Sequence, residues 1–320
     1  CIRDSLIAVS IGFYNIFSFN RKQKLITADE FENGKLFLRD LVMHGAIGTA
    51  LGGVCTIVGE PQNLLIATKA DWTFYEFFIK MAPITMPVLL AGLVTCLFVE
   101  RFKLVGYGVI LSDKLRNKII EDAQRKNQAR TDAEKLHLVF EGILGVCLIV
   151  ALGLHVAPVG IIGLFLLVAL TASKGIISEH KLGKAFEVPL PFTGLLVIFF
   201  VIVAVINDQN LFTPVILAVL NAATEIQAPL FYIANGVLSA ISDNVFVATV
   251  YMNEIVLALQ NGIIDRNQFD VLAVAINTGT NRPSVATPTG QAAFLFLLTS
   301  SLAPLIGLSY LRMVIKALPY

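Results

Sequence analysis

Along this chain apolar blocks of membrane length alternate with polar ones, and three of the apolar blocks carry polar residues at their centres. Residues 5–17 are apolar but shorter than the ~20 a spanning helix needs, and read as the tail of a helix that begins upstream. Residues 18–40 mix Arg21, Lys22, Lys24, Lys35 and Arg39 with Asp29, Glu30, Glu32 and Asp40, which predicts an aqueous loop ending in a short amphipathic helix. Residues 41–70 have the length of a span, but their centre, Gly52-Gly-Val-Cys-Thr-Ile-Val-Gly-Glu-Pro-Gln-Asn63, predicts a break. Phe74–Phe102 reads as one long helix kinked at Pro83 and Pro87. Spans follow at 136–156, 158–173 and 190–206, with a surface helix at 174–188 and a loop at Asn207–Asn210 that has no Lys or Arg. Residues 211–223 are apolar but short for a crossing, and 230–259 hold Ser239-Ala-Ile-Ser-Asp-Asn-Val-Phe246 mid-run, the pattern of a re-entrant hairpin or broken span. A polar loop at 261–267 leads to the third interruption, and 294–308 with 310–318 close the chain.

That third interruption, Ala275 to Phe294, has the densest polar content. Asn277, Thr278, Thr280, Asn281, Ser284, Thr287, Thr289 and Gln291 stand there with Pro283, Pro288, Gly279 and Gly290, which predicts that no continuous helix survives across 277–290. At membrane depth the freed backbone groups must be satisfied by protein, water or a bound ion. Sliding the chain by 227 residues lays Gly52 on Gly279, Val58 on Val285, Glu60 on Thr287, Pro61 on Pro288 and Asn63 on Gly290. Both breaks then read as small residues and a hydroxyl-bearing turn, followed by a proline that reopens an apolar helix. Paired breaks in two halves are the sequence mark of a secondary transporter's binding site.

Composition narrows the class. With 56% hydrophobic and 15% charged residues this is an all-α polytopic membrane protein, and a net charge of +1 gives no reason to expect nucleic acid. Eight Lys and Arg in 103–135 make that loop cytoplasmic by the positive-inside rule. Cys1, Cys55, Cys96 and Cys147 follow no metal or redox spacing and read as packing residues, so no transition metal is expected. The chain opens without Met and without a signal-peptide pattern, as expected of an internal fragment of a longer protein. HExxH, Gly-x-Ser-x-Gly, GxGD and a P-loop are all missing from the sequence, which argues against an intramembrane enzyme or an ATP-driven pump.

Asp243 is the leading candidate, because a carboxylate inside a bilayer costs ~2.5–3.5 kcal/mol or more and is rarely kept without a task. With Ser242, Asn244 and freed carbonyls it offers hard oxygen ligands for an alkali cation, and the same group can take a proton instead. Competition of Na⁺ and H⁺ for one acid couples their opposite fluxes. Glu60, beside Thr56, Gly59 and Asn63, reads equally as a second ligand or as a lock on its turn; Asn277, Thr278, Asn281 and Thr287 read as site polar groups. His44 reads as a proton relay or, more commonly for such a position, an interfacial hydrogen bonder, while His137, His155 and His180 at span or loop edges take no role. Glu254 reads as reaching water. Gly48-x-x-x-Gly52 and Gly160-x-x-Gly163 are packing signals.

The residues 48–63, 242–249 and 275–299 carry a resemblance across nearly the whole chain to the NhaB family of bacterial sodium/proton antiporters, within a superfamily of dicarboxylate and arsenite carriers. The resemblance implies an inverted-repeat secondary transporter in the bacterial inner membrane, with broken helices and a re-entrant hairpin, expelling Na⁺ against entering H⁺. Residues 1–102 would be the remainder of a first repeat, 103–135 the cytoplasmic loop, and 136–320 a second repeat with its hairpin at 230–259. Two residues depart from the family pattern: Arg282 where it is apolar and Thr289 where it has Asn. A guanidinium there would repel Na⁺, pair with Asp243 or Glu60, or point elsewhere. The expected partners are Na⁺, H⁺, the lipid bilayer and a second copy in a homodimer, with no cofactor. Anion transport on the same fold and a non-transporting scaffold are the alternatives.

Overall fold

The computed structural model describes residues 2–154, 156–187, 190–209, 211, 213–240 and 242–320; Cys1, His155 and Asn210 lie outside the described residues. The described chain is helical, with α1 (Ile2–Lys22), α2 (Ala28–Gly53), α3 (Pro61–Ala70), α4 (Phe74–Phe102), α5 (Asp113–Gln128), α6 (Asp132–Gly153), α7 (Val159–Ser173), α8 (Glu179–Glu187), α9 (Leu190–Asp208), α10 (Thr213–Leu220), α11 (Thr224–Ser239), α12 (Asn244–Gln260), α13 (Arg266–Asn281), α14 (Ala292–Thr299), α15 (Leu302–Leu305) and α16 (Tyr310–Ala317). Short 3₁₀ turns occupy Leu104–Gly106 and Pro283–Ala286.

Three helices open on the same device. Thr27 with Glu30, Thr73 with Glu76 and Thr131 with Glu134 form reciprocal capping boxes at the starts of α2, α4 and α6. The first of these corrects the expected 18–40 loop. The box starts α2 at Ala28, α1 runs to Lys22, and only the intervening turn is irregular, so the charged residues of 28–40 stand on a helix. The Thr27 backbone N–H holds the Glu30 carboxyl below its ordinary range.

Helix α4 is continuous through Pro83 and Pro87 and matches the expected span end to end. Only 17% of the most apolar stretch of α4 and 11% of that of α6 is buried inside the protein. Leu90, Leu97, Val146 and Ile149 therefore face outward, an arrangement that water disfavours and lipid tolerates. By contrast 294–308 is not one helix: α14 stops at Thr299, Ser300 is extended, and α15 is a single turn. Neither Gly48 and Gly52 nor Gly160 and Gly163 have any described atom where a Cβ would reach, so these pairs mark no close helix approach here.

Two apolar cores organise the molecule. One gathers Ile66 of α3, Met81 of α4, Phe231 of α11, Met252 of α12 and Phe269 of α13. The other gathers Phe17 of α1, Met43 and Ile47 of α2, Leu115 of α5, Phe294 of α14 and Met313 of α16. After Gly53 the chain leaves the second core for the first, and after Asn281 it returns. Both of these crossings are polar interruptions, whereas α4 joins the cores as an unbroken helix, with Met81 in the first and Val99 in the second.

Candidate functional site

The first interruption lies between Gly53 and Pro61. Gly59 packs on the end of α2 so closely that a Cβ would sit 2.0 Å from Gly53 O, which only glycine permits. Freed carbonyls are met by one side chain, since Asn63 Nδ2 donates to both Gly53 O and Thr56 O at 2.8 Å. Thr56 thus enters through its backbone. Glu60 takes the N-cap position of α3, its carboxylate 9% exposed as a residue, and accepts from Gln62 Nε2 and, at 3.1 Å, from Gln291 Nε2.

The second interruption lies between Ser239 and Asn244, with Ile241 outside the described residues. Asp243 Oδ1 accepts from Val245 N at 2.8 Å and Phe246 N at 3.2 Å, capping α12. A carboxylate there is favoured by the positive end of the helix. Ser242 contributes its N–H to Leu238 O. Asn244 is the hub: with its amide nitrogen directed at Gly290 O (2.8 Å) and Thr280 O (3.0 Å), its oxygen stands 3.3 Å from Gln62 Nε2.

The third interruption is shorter than expected. Residues 277–281 are the last turn of α13, so the helix runs on to Asn281, with Arg282 as its C-cap, rather than ending at Asn277. Their polar side chains do not break it, because they bond back along it: Thr278 Oγ1 to Val274 O (2.8 Å), Thr280 Oγ1 to Ile276 O (3.0 Å) and Asn281 Nδ2 to Asn277 O (2.8 Å). Gly279 serves packing, since a Cβ would sit 2.7 Å from Tyr232 O of α11. Nor does Pro288 restart a helix as Pro61 does; residues 287–290 form a turn and α14 begins at Ala292.

The three interruptions meet. Gln62 Nε2 donates to Asn281 Oδ1 at 2.6 Å, and Asn281 Nδ2 reaches Asn277 Oδ1 at 2.7 Å and Asn63 Oδ1 at 3.4 Å. Ser239 Oγ donates to Thr280 O at 2.6 Å, and Thr287 Oγ1 to Ala240 O at 2.6 Å. Glu60 enters this assembly through Gln62 and Gln291, and Asp243 immediately precedes Asn244, which faces Gln62. Of the expected residues, Glu60, Asn63, Asp243, Asn244, Asn277, Asn281 and Thr287 belong to this assembly. Thr278 does not, as it faces a separate cavity lined by Lys80, Tyr232 and Asp270. Arg282 touches neither carboxylate; its Nη2 donates to Ile84 O of α4 at 2.7 Å, and Tyr232 is its other neighbour.

Gln62 and Ser239 are members to which sequence reasoning assigned no role; Ser284 and Gln291, counted there only among the polar residues of the third interruption, also join it, with Ser284 Oγ donating to Asn281 O at 2.8 Å and Gln291 Nε2 to Glu60. Gln62 sits inside the quoted Glu60-Pro-Gln-Asn63 run, and a buried amide beside a buried acid was the available signal. The arrangement offers two carboxylates, amide oxygens and peptide carbonyls, a set suited to a hard monovalent cation that a proton can replace. Among the described residues no group of His, Cys, Asp and Glu has the spacing of a metal centre.

The family model described as Bacterial Na+/H+ antiporter B (NhaB) matches residues 5–320. Proteins named Na(+)/H(+) antiporter NhaB are similar to this chain: that of Teredinibacter turnerae is 54% identical over 98% of the chain and 66% of its own length. The Yersinia pestis protein is 55% identical over 97% of the chain and 62% of its length, and the Vibrio vulnificus protein 55% over 98% and 62%. The chain therefore spans 62–66% of the length of these curated relatives. No solved structure matches.

Proposed function

The chain belongs to the NhaB family of bacterial Na⁺/H⁺ antiporters, and from that membership we propose that it forms the ion-binding part of a membrane exchanger in which Na⁺ and H⁺ compete for Glu60 and Asp243. The observation that carries the reading is the convergence of two acids, each at the start of a half-helix, on one amide-bridged junction between interrupted helices. A cation entering there finds charge and oxygen ligands together. Protonation of either carboxylate removes part of that charge and releases it. No chemistry on a substrate is needed, so the protein is a secondary transporter rather than an enzyme, with Na⁺ and H⁺ as cargo and no cofactor.

We place α11 and α12 as the hairpin of a second repeat, and the 103–135 segment on the cytoplasmic face of the inner membrane. The exposed basic residues around α5 support that orientation. Anion uptake on the same fold would use the positive helix starts for substrate. Here Glu60 and Asp243 already occupy two of them, which favours cation exchange. In vesicles holding the full-length protein, adding Na⁺ without any organic anion is expected to shift lumen pH. A shift seen only when a carboxylate or oxyanion is supplied would favour the anion reading instead.

A further inference from the structure

Away from the junction, three side chains, Glu100, His44 and Tyr320, form a line between the loop after α4 and the interior. His44 of α2 has Nε2 2.8 Å from Glu100 Oε1 and Nδ1 2.9 Å from the Tyr320 hydroxyl, with Cys96 Sγ 3.4 Å from the same nitrogen. Its ring stacks on Tyr107, centroids 4.4 Å apart and planes 24° from parallel. Exposure falls along the line, from 38% for the Glu100 side chain to 19% for His44. Beyond it, Tyr320 lines a cavity of about 400 Å³ with Leu51, Val88, Tyr232 and Val285, whose wall includes Pro283 of the third interruption. Arg282 and Ala286 also line it, so the cavity runs from Tyr320 to the 282–286 turn that follows Asn281, and it is large enough for water.

The other charged groups around His44 are already matched. Asp40, one turn earlier on α2, pairs with Lys316 at 2.7 Å; both are buried, and Lys316 also donates to Gly106 O at 3.0 Å and lies over the Tyr107 ring. Val109 N closes on Asp40 Oδ2 at 3.4 Å, and the Tyr107 hydroxyl donates to Lys316 O at 3.0 Å. This pair fixes α16 against α2, with both Asp40 oxygens engaged, and it makes no hydrogen bond to His44 among those of the described residues. His44, held between an acid and a phenol, is left as the group able to take a proton on one nitrogen and release one from the other.

We propose that Tyr320, His44 and Glu100 are the proton route between the ion junction and the face that carries the 103–135 segment. The proposal rests on the exchanger reading above. A proton arriving through the cavity is taken at the Tyr320 oxygen as that hydroxyl's own proton passes to His44 Nδ1. The Nε2 proton passes to Glu100, which gives it to water. One proton enters and one leaves, which leaves the ring proton on Nδ1; loss of that proton to water and gain of one from water at Nε2 restore the starting tautomer. Sodium needs no part of this line, and that separation makes the proposal testable.

The test uses the full-length protein in proteoliposomes, with Na⁺ as the added ion, a lumen pH dye for proton movement and radiolabelled Na⁺ for Na⁺/Na⁺ exchange at constant pH. Because a positioned acid–base group contributes on the order of 10²–10⁴-fold, His44→Gln is expected to slow Na⁺-driven proton movement at least about tenfold while leaving Na⁺/Na⁺ exchange at the wild-type rate. Tyr320→Phe, which keeps the ring and its packing, is expected to shift the same ratio in the same direction. Unchanged proton movement in His44→Gln overturns the route. So does an equal loss of both exchange modes, which would assign His44 a structural role. If the wild-type protein moves no protons on Na⁺ addition, the exchanger reading fails first and takes the route with it.

Discussion

Gln62 Nε2 and Asn281 Oδ1, separated by 219 positions in sequence, lie 2.6 Å apart and join the first polar interruption to the third. Both residues are buried, 2% exposed each. Removing the donor alone leaves Asn281 and Glu60 short of a partner. Gln62→Leu is therefore expected to cost about 1–3 kcal/mol of stability. Gln62→Leu with Asn281→Leu is expected to cost less than the sum of the single changes. Thermal unfolding of the purified full-length protein reads both, and strict additivity would count against a shared network.

Asp243 has two separable duties, capping α12 and carrying charge. Asparagine caps about as well as aspartate, so Asp243→Asn is expected to hold stability within about 0.5 kcal/mol, whereas Asp243→Ala loses about 1 kcal/mol. Both substitutions are expected to abolish Na⁺-driven proton movement in vesicles. Retained movement in Asp243→Asn would reduce this carboxylate to a cap.

Arg282 was expected from sequence to bear on Na⁺ affinity. Its guanidinium instead bonds a carbonyl of α4, and its Nε is buried without a partner. Arg282→Leu is expected to leave the Na⁺ concentration for half-maximal exchange within about threefold of wild type, since the lost neighbour is worth only about 0.5–1.5 kcal/mol and not to the site. A shift beyond tenfold would mean that the charge acts on the ion after all.

Gly279 and Gly48 make a matched pair. An alanine Cβ at 279 would meet the Tyr232 backbone at 2.7 Å, forcing α13 off α11 at a cost of about 1–3 kcal/mol. At 48 nothing lies within 4 Å, and alanine in a helix interior gains about 0.5–1 kcal/mol. Unfolding temperatures moving in opposite directions would bear this out; a stabilising Gly279→Ala would not.

Local pattern made some of this legible. The limits of α4, α7 and α9 follow closely from apolar run length, whereas α6 starts four residues before its expected 136–156 run, at the Thr131 capping box, and ends at Gly153; the break at 52–63 follows from Gly59-Glu-Pro61, because glycine and proline act on their own backbone. What escaped depended on partners distant in sequence or on side chains turning inward. Residues 277–281 look like a break by composition, yet their hydroxyls and amides bond the carbonyls of their own helix. The 18–40 segment looks like a loop by charge, yet a Thr-x-x-Glu box starts a helix there and Lys316, far along the chain, neutralises Asp40. The direction of Arg282 depends on Ile84, which no spacing rule connects to it.

Of the irregular passages between the two apolar cores, 54–60 carries Glu60 and 282–291 carries Gln291, which donates to it. Were the two packed masses to rock against each other, each as a firm body, the bending would fall on the irregular backbone at 54–60 and 282–291 and on α4 between Met81 and Val99. The pivot and the ion's seat would then be one piece of chain, so that occupancy by a cation or a proton directly alters how freely the machine can swing.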